Sequence, residues 1–148
     1  MTNSIERTID VNAPIDRVWR ALSDYREFGQ WFRVNLEGPF VPGQIARGRI
    51  TYPGYEHVTW EATIKTMKAP GYFAMTWHPY AIDPDVDYSK EQPTLIEFRL
   101  APIDGGTRVT VTESGFDAIP AGRRDEAIRM NSGGWEQQVK NIKAHVEP

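Results

Sequence analysis

The stretch Met130–Val146, MNSGGWEQQVKNIKAHV, decides how this chain is built. At about 100° per residue, Ile128, Trp135, Val139, Ile142 and Val146 fall into one apolar stripe, the mark of an amphipathic helix. Arg129, Glu136, Lys140 and Glu147 lie well away from that stripe, whereas Asn131 and Ser132 interrupt it on its inner side. The periodicity predicts one helix from roughly Ala121 to Val146. Gly133 and Gly134 are the anomaly, because each interior glycine costs a helix about 1 kcal/mol. Their position before Trp135 predicts either close backbone packing against a neighbour or a pivot that sets how deeply Trp135 enters the interior.

Working outward, the rest of the chain supplies a partner for that stripe. Ile5, Arg7, Ile9 and Val11 alternate with polar residues and predict a strand, Arg7 being the exception on the inner face. Pro14 then suits the first turn of a short helix whose apolar side is Ile15, Val18, Trp19 and Leu22. Ser23 or Asp24 can cap a second short helix that brings Phe28 and Trp31 inward. Strand patterns follow almost to the end, in QIARGRITY, HVTWEATIKTM, YFAMTWH, TLIEFRL and TRVTVTE, separated by breakers such as APGY and APIDGGT. One-sided alternation of this kind fits an antiparallel sheet with one covered face. The solution is an α+β domain over residues 1–148 in which a curved antiparallel sheet wraps a long C-terminal helix, with two short helices after the first strand. Pro79–Pro93 interrupts the meander with three prolines and three aspartates and reads as a long connection.

Composition narrows the function. The chain has 148 residues, enough to bury a core without staples. Its 17 basic and 20 acidic residues leave a formal charge of −3 and argue against nucleic acid or an anionic membrane as the partner. Cysteine is absent, which removes thiolate chemistry, and three scattered histidines form no metal cluster. Asp83, Asp85 and Asp87 alternate as in a calcium loop, but Tyr88 stands where that loop needs glycine and Thr94 where it needs glutamate. No metal or cofactor is expected. The N-terminal stretch MTNSIERTIDVNAP has no leader pattern, and no segment approaches a membrane span, so a cytoplasmic location is expected.

Several strings, in this order and spacing, carry a resemblance: IDVNAPIDRVWRALSD with QWF, VTVTESGF, and GGWEQQVKNIKAHV. Across Ile5 to Val146 the chain resembles the helix-grip fold of the START-like, birch-pollen-allergen superfamily. Within it the chain is similar to bacterial homologues of the heat-shock protein 90 ATPase activator, matching only the C-terminal type of domain. The resemblance implies a deep, mostly apolar cavity between sheet and helix. It also implies a role among carriers, polyketide cyclases or dehydratases, and co-chaperone or stress-response domains.

Glu113 is the most informative polar residue, since it shares strand phase with Val109 and Val111 and is expected to face inward. A buried carboxylate needs hydrogen-bond or charge partners, and Arg49 fills that need if its strand turns Arg47, Arg49 and Thr51 inward. The expected cavity wall is Trp60, Phe73, Met75, Trp77, Phe98 and Trp135, with Arg49, Glu113 and Asn131 as polar orienting points. Three functions follow. The first is a binding protein for a small apolar or aromatic molecule. The second is a cavity enzyme with Glu113 as general acid or base. The third is an interaction module, with a chaperone or a second copy of the chain as partner, exposing apolar surface around Trp31, Phe32 and Phe40.

Overall fold

The computed structural model describes residues 3–148; Met1 and Thr2, which open the stretch read for a leader and the expected domain, lie outside them. Strand β1 (Ser4–Val11) leads into helices α1 (Ile15–Ser23) and α2 (Tyr25–Phe32). Pro14 stands immediately before α1 rather than inside its first turn. Asp24 makes the corner between the helices, its carboxylate accepting the Arg26 N–H at 2.9 Å and so capping α2. Arg33 ends α2 in the left-handed region at φ 71°. Strands β2 (Val34–Leu36), β3 (Ile45–Ile50), β4 (Thr59–Lys68), β5 (Tyr72–Trp77), β6 (Thr94–Ile103) and β7 (Gly106–Ser114) follow, and α3 (Ala121–Val146) closes the chain.

The seven strands form one antiparallel sheet in the order β1-β7-β6-β5-β4-β3-β2. Its inner face carries the alternating residues read from sequence, with Trp60, Ile64, Phe73, Met75, Ile96, Phe98, Val109 and Val111 all buried. Along α3 the fully buried stripe is Ala127, Trp135, Val139, Ile142 and Val146, with Ile128 only partly covered. Asn131 occupies the one step of that stripe, four residues from both Ala127 and Trp135, where no apolar residue stands. Sheet and helix therefore grip each other along a seam broken by a single amide.

Two expectations about direction are corrected. In β3 the buried positions are Ala46 and Gly48, so Arg47 and Arg49 face outward. Register explains this: Gly48 lies opposite Trp60, and Arg47 opposite Glu61, which it meets at 3.1 Å. Only glycine fits at 48, because a Cβ there would stand 2.5 Å from the Asn35 carbonyl oxygen. A one-residue difference in phase reverses every side chain of a strand. The apolar patch expected on the surface is likewise interior. Trp31, Phe32 and Phe40 are buried, with the Phe28 ring 4.8 Å from Trp31, 4.9 Å from Phe32 and 5.2 Å from Phe40.

Both ends of α3 are tied down by charge. Near its start, Arg123 bonds the Glu91 carboxylate at 3.0 Å and the Pro79 carbonyl at 2.8 Å, and its guanidinium lies 4.7 Å over the Tyr88 ring. One side chain thus pins the Pro79–Pro93 connection to the helix. The aspartates of that connection are turned on their own backbone, Asp83 accepting from Asp85 N–H and Asp87 from Ser89 N–H. Near the end of α3, His145 meets Glu27 of α2 at 2.9 Å, and Glu27 also accepts from Arg17 at 2.7 Å and Arg20 at 2.8 Å. Burial pushes the Glu27 carboxyl up, but the hydrogen bonds with His145 and Arg17, with the arginine charges, outweigh it and hold the group below its ordinary value of 4.5.

A carboxyl lowered on folding stabilises the native state above its unfolded pKa, and that contribution disappears as pH falls through the folded one. Glu27→Gln is expected to lower stability at pH 6, with the gap to wild type closing as the pH is taken from about 5 toward 3. Urea unfolding at stepped pH measures it, and a gap that stays constant over that range would refute the assignment.

Candidate functional site

The site begins at the C-terminal end of β7. Period-two alternation from Val109 through Val111 carries Glu113 to the inner face, where it is completely buried. Its neighbours in register are Ile5 of β1 and Ile96 of β6, both apolar and buried. A carboxylate in such surroundings is expensive unless both oxygens find donors. Here they do. Oε1 accepts the Trp135 indole N–H at 2.8 Å and the Asn131 amide at 3.0 Å. Oε2 accepts the Trp77 indole N–H at 2.8 Å and the Thr94 hydroxyl at 2.6 Å. Indole and amide nitrogens only donate, so the carboxylate is surrounded by groups that suit its acceptor role. Among the described residues, no Lys, Arg or His makes an ion pair with it.

These four donors come from three elements. Trp77 ends β5 and lies opposite Thr94, which begins β6, so sheet register alone places them together. Asn131 and Trp135 are one helical turn apart on α3, and that spacing aims both at the same point. The carboxylate is therefore where helix and sheet are joined by polar bonds. It also orders the two indoles, which stack with centroids 5.4 Å apart and planes 11° from parallel.

Beside this stack lies a partly open cleft of about 120 Å³, lined by Phe32, Trp77, Asn131, Gly134, Trp135 and Gln138. Phe32 closes one side, with its ring 5.9 Å from Trp77 and 6.2 Å from Trp135. Gln138 is fixed by donating to the Phe32 carbonyl at 2.9 Å and accepting from Asn141 at 3.0 Å. Gly134 has no heavy atom within 4 Å of where its Cβ would stand, and neither has Gly133. Close packing of the helix backbone is therefore not why these glycines are there, and α3 runs through them without a break. Gly134 lines the cleft without contributing a side chain to it.

Of the residues expected to form the site, the structure brings Glu113, Trp77, Asn131 and Trp135 together. Phe73, Met75 and Phe98 are buried in a filled core, Phe73 packing on Phe40 at 5.3 Å and Phe98 on Trp135 at 5.7 Å. Trp60 lies in the same aromatic mass, 5.7 Å from Phe32 and 6.0 Å from Trp77. Arg49 is on the outer face, 3.5 Å from the Glu56 carbonyl, so it is neither a partner of Glu113 nor a part of the cleft. Thr94, Phe32 and Gln138 were missed: Thr94 opens a strand, and the other two reach the cleft only through tertiary packing. Among the described residues, no group of three or more His, Asp or Glu side chains is placed to hold a metal.

Truncating Glu113 leaves four donors without an acceptor, those of Thr94 and Trp135 buried and those of Trp77 and Asn131 partly buried, at about 1–3 kcal/mol for each buried one that stays unsatisfied. Glu113→Ala is expected to cost at least about 3 kcal/mol in urea unfolding, and Thr94→Val, which removes one donor, about 1–2 kcal/mol. A Glu113→Ala loss below about 0.5 kcal/mol would show that the carboxylate does not join helix to sheet.

The comparisons with known proteins bear on the whole chain. No curated protein matches it significantly. Among solved structures it is similar to DynU16 of the dynemicin biosynthetic locus, with a TM-score of 0.74 at 19% identity, over 98% of this chain and 47% of that one. The chain thus spans about half the length of DynU16. It is similar to the Aha1 dimer from Colwellia psychrerythraea, with a TM-score of 0.74 at 16% identity, covering 99% and 97% of the two chains. It is also similar to protein CV1439 from Chromobacterium violaceum, with a TM-score of 0.73 at 20% identity, covering 100% and 99%. At such identities the likeness is one of fold. The family model described as Activator of Hsp90 ATPase homolog 1-like protein matches residues 12–147, and with its gripped C-terminal helix the chain belongs to that family.

Proposed function

We propose that this chain is a small-molecule-binding protein whose site is the cleft beside the Trp77–Trp135 stack. The observation that carries this reading is the cleft itself: three aromatic walls with Gly134 on the lining beside them. Its size sets the ligand. An engineered apolar cavity of about 150 Å³ holds benzene, so a cleft of about 120 Å³ takes one small ring, or the compact head of a longer molecule whose remainder extends into solvent. Occurrence of the same fold in a protein of a biosynthetic locus agrees with a small-molecule role.

A deep cavity is not what supports the reading, because the interior between sheet and helix is occupied by packed rings. Nor does the geometry favour Glu113 as a general acid or base: it does not line the cleft, and both of its oxygens are engaged. A general base must reach the proton it abstracts directly or through one water. Here two indoles and an amide stand between the carboxylate and the cleft.

Gly134→Leu is expected to fill the cleft while leaving the fold intact, since the Cβ meets nothing and leucine is the better helix former by about 0.8 kcal/mol. Gly133→Ala, one position away, is expected to raise stability by up to about 1 kcal/mol and leave binding unchanged. Titration of both variants and wild type with a panel of small aromatic molecules, followed through the Trp77 and Trp135 indole resonances, tests the reading. Equal binding by Gly134→Leu and wild type, or no binding to wild type, would remove it.

A further inference from the structure

The polarity of the cleft points to the charge of its ligand. The two indole donors on the lining and one N–H of each amide already serve protein acceptors: the Trp77 and Trp135 indoles and Asn131 face Glu113, and Gln138 faces the Phe32 carbonyl. Because Glu113 only accepts from Asn131, the NH₂ of that amide must face the carboxylate, and its oxygen is turned elsewhere. That oxygen makes no hydrogen bond among the described residues. What remains on the lining is mostly electron-rich: three aromatic rings and the Asn131 amide oxygen, beside the second N–H of the two amides.

Behind this surface lies the Glu113 carboxylate. Glu113 is completely buried, is hydrogen-bonded directly to three of the six lining residues, and has no ion-pair partner. Arg7, placed by strand phase on the inner face, bonds the Glu6 carbonyl at 2.9 Å and the Ser132 carbonyl at 3.4 Å instead. No lining residue is cationic. Charges in such surroundings are screened far less than on a surface. Donation of both indole N–H groups to a carboxylate further enriches the rings that face the cleft. Aromatic rings around a compact void, backed by negative charge, are the means by which proteins hold quaternary ammonium groups.

We infer that the cleft binds an organic cation, a trimethylammonium-type head or a comparably compact alkylated amine, held against the Phe32, Trp77 and Trp135 rings with Glu113 as its buried counter-charge. This rests on the small-molecule reading above and adds the sign of the ligand. Glu113 then acts through the indoles it orients, as a positioning residue that also sets the field of the site.

The test compares choline with its uncharged isostere 3,3-dimethylbutan-1-ol, which has the same shape without the charge. Binding to the wild-type protein is followed through the Trp77 and Trp135 indole resonances at low ionic strength. The expected result is tighter binding of choline by about tenfold, within the range of desolvated cation–π contacts. Glu113→Gln, if it folds, is expected to lose most of that preference while still binding the neutral alcohol. Trp77→Phe serves where it does not, and should reduce choline affinity more than alcohol affinity. Equal binding of the two molecules, or tighter binding of the alcohol, would overturn the cation and leave the small-molecule site standing. If neither molecule binds but a neutral aromatic such as toluene does, the cation again falls alone. If none of the three perturbs the indoles, both readings fall.

Discussion

A carboxylate without a counter-ion sits at the junction of everything in this molecule. Glu113 reaches the interior because β7 alternates, and it can remain there because two indoles, an amide and a hydroxyl converge on it from β5, β6 and α3. The apolar stripe of α3 alone would allow the helix to slide or rotate on the sheet, since burial is non-directional. Hydrogen bonds are directional, and Asn131 and Trp135 can both meet Glu113 in one placement of the helix only. The polar break in the α3 stripe is thus the element of the seam that specifies its alignment. Arg123 and His145 add restraints at the two ends of the helix, but they act at half-buried positions where charges are better screened.

Around this junction the aromatic residues expected to wall a deep cavity pack against one another. The inner face of the sheet is furnished with large rings: Trp31, Phe32 and Phe40 enter from α2 and the turn after β2, and Trp60, Phe73 and Phe98 from the strands. They meet edge-to-face or tilted at 5–7 Å, the arrangement aromatic pairs prefer. Beside α3, next to the Trp77–Trp135 stack, the packing leaves room.

Much of this could be read before any coordinates, and the reason lies in periodicity. The bounds of α3, the inner faces of β4 to β7 and the inward turn of Glu113 follow from spacings of 3.6 and 2 residues, which are local properties. Where periodicity was weak, the reading faltered. QIARGRITY places its apolar residues at 45, 46 and 50, which no alternation accommodates, and the register was decided instead by the close approach of β2 at Gly48. β2 itself, at three residues, is too short to show a pattern. The part of Thr94 is set by strand pairing with Trp77, and Arg123 meets Glu91 across the whole of the last two strands. Whether a set of inward aromatics fills a core or lines a void depends on volumes summed over many side chains, and no local spacing encodes that sum.

The order of the four donors along the chain has a consequence for biosynthesis. Trp77 and Thr94 precede Glu113 in the sequence, while Asn131 and Trp135 follow it. A nascent chain emerging from the ribosome therefore presents its last strand with half of the partners of its buried charge still unmade. The sheet can assemble its hydrogen-bonded ladder before then, yet its inner face remains wet around Glu113 until the closing helix arrives. Domains generally fold as units during or after synthesis. Here the decisive unit is translated after the whole sheet, so the native state is committed only once α3 has left the ribosome.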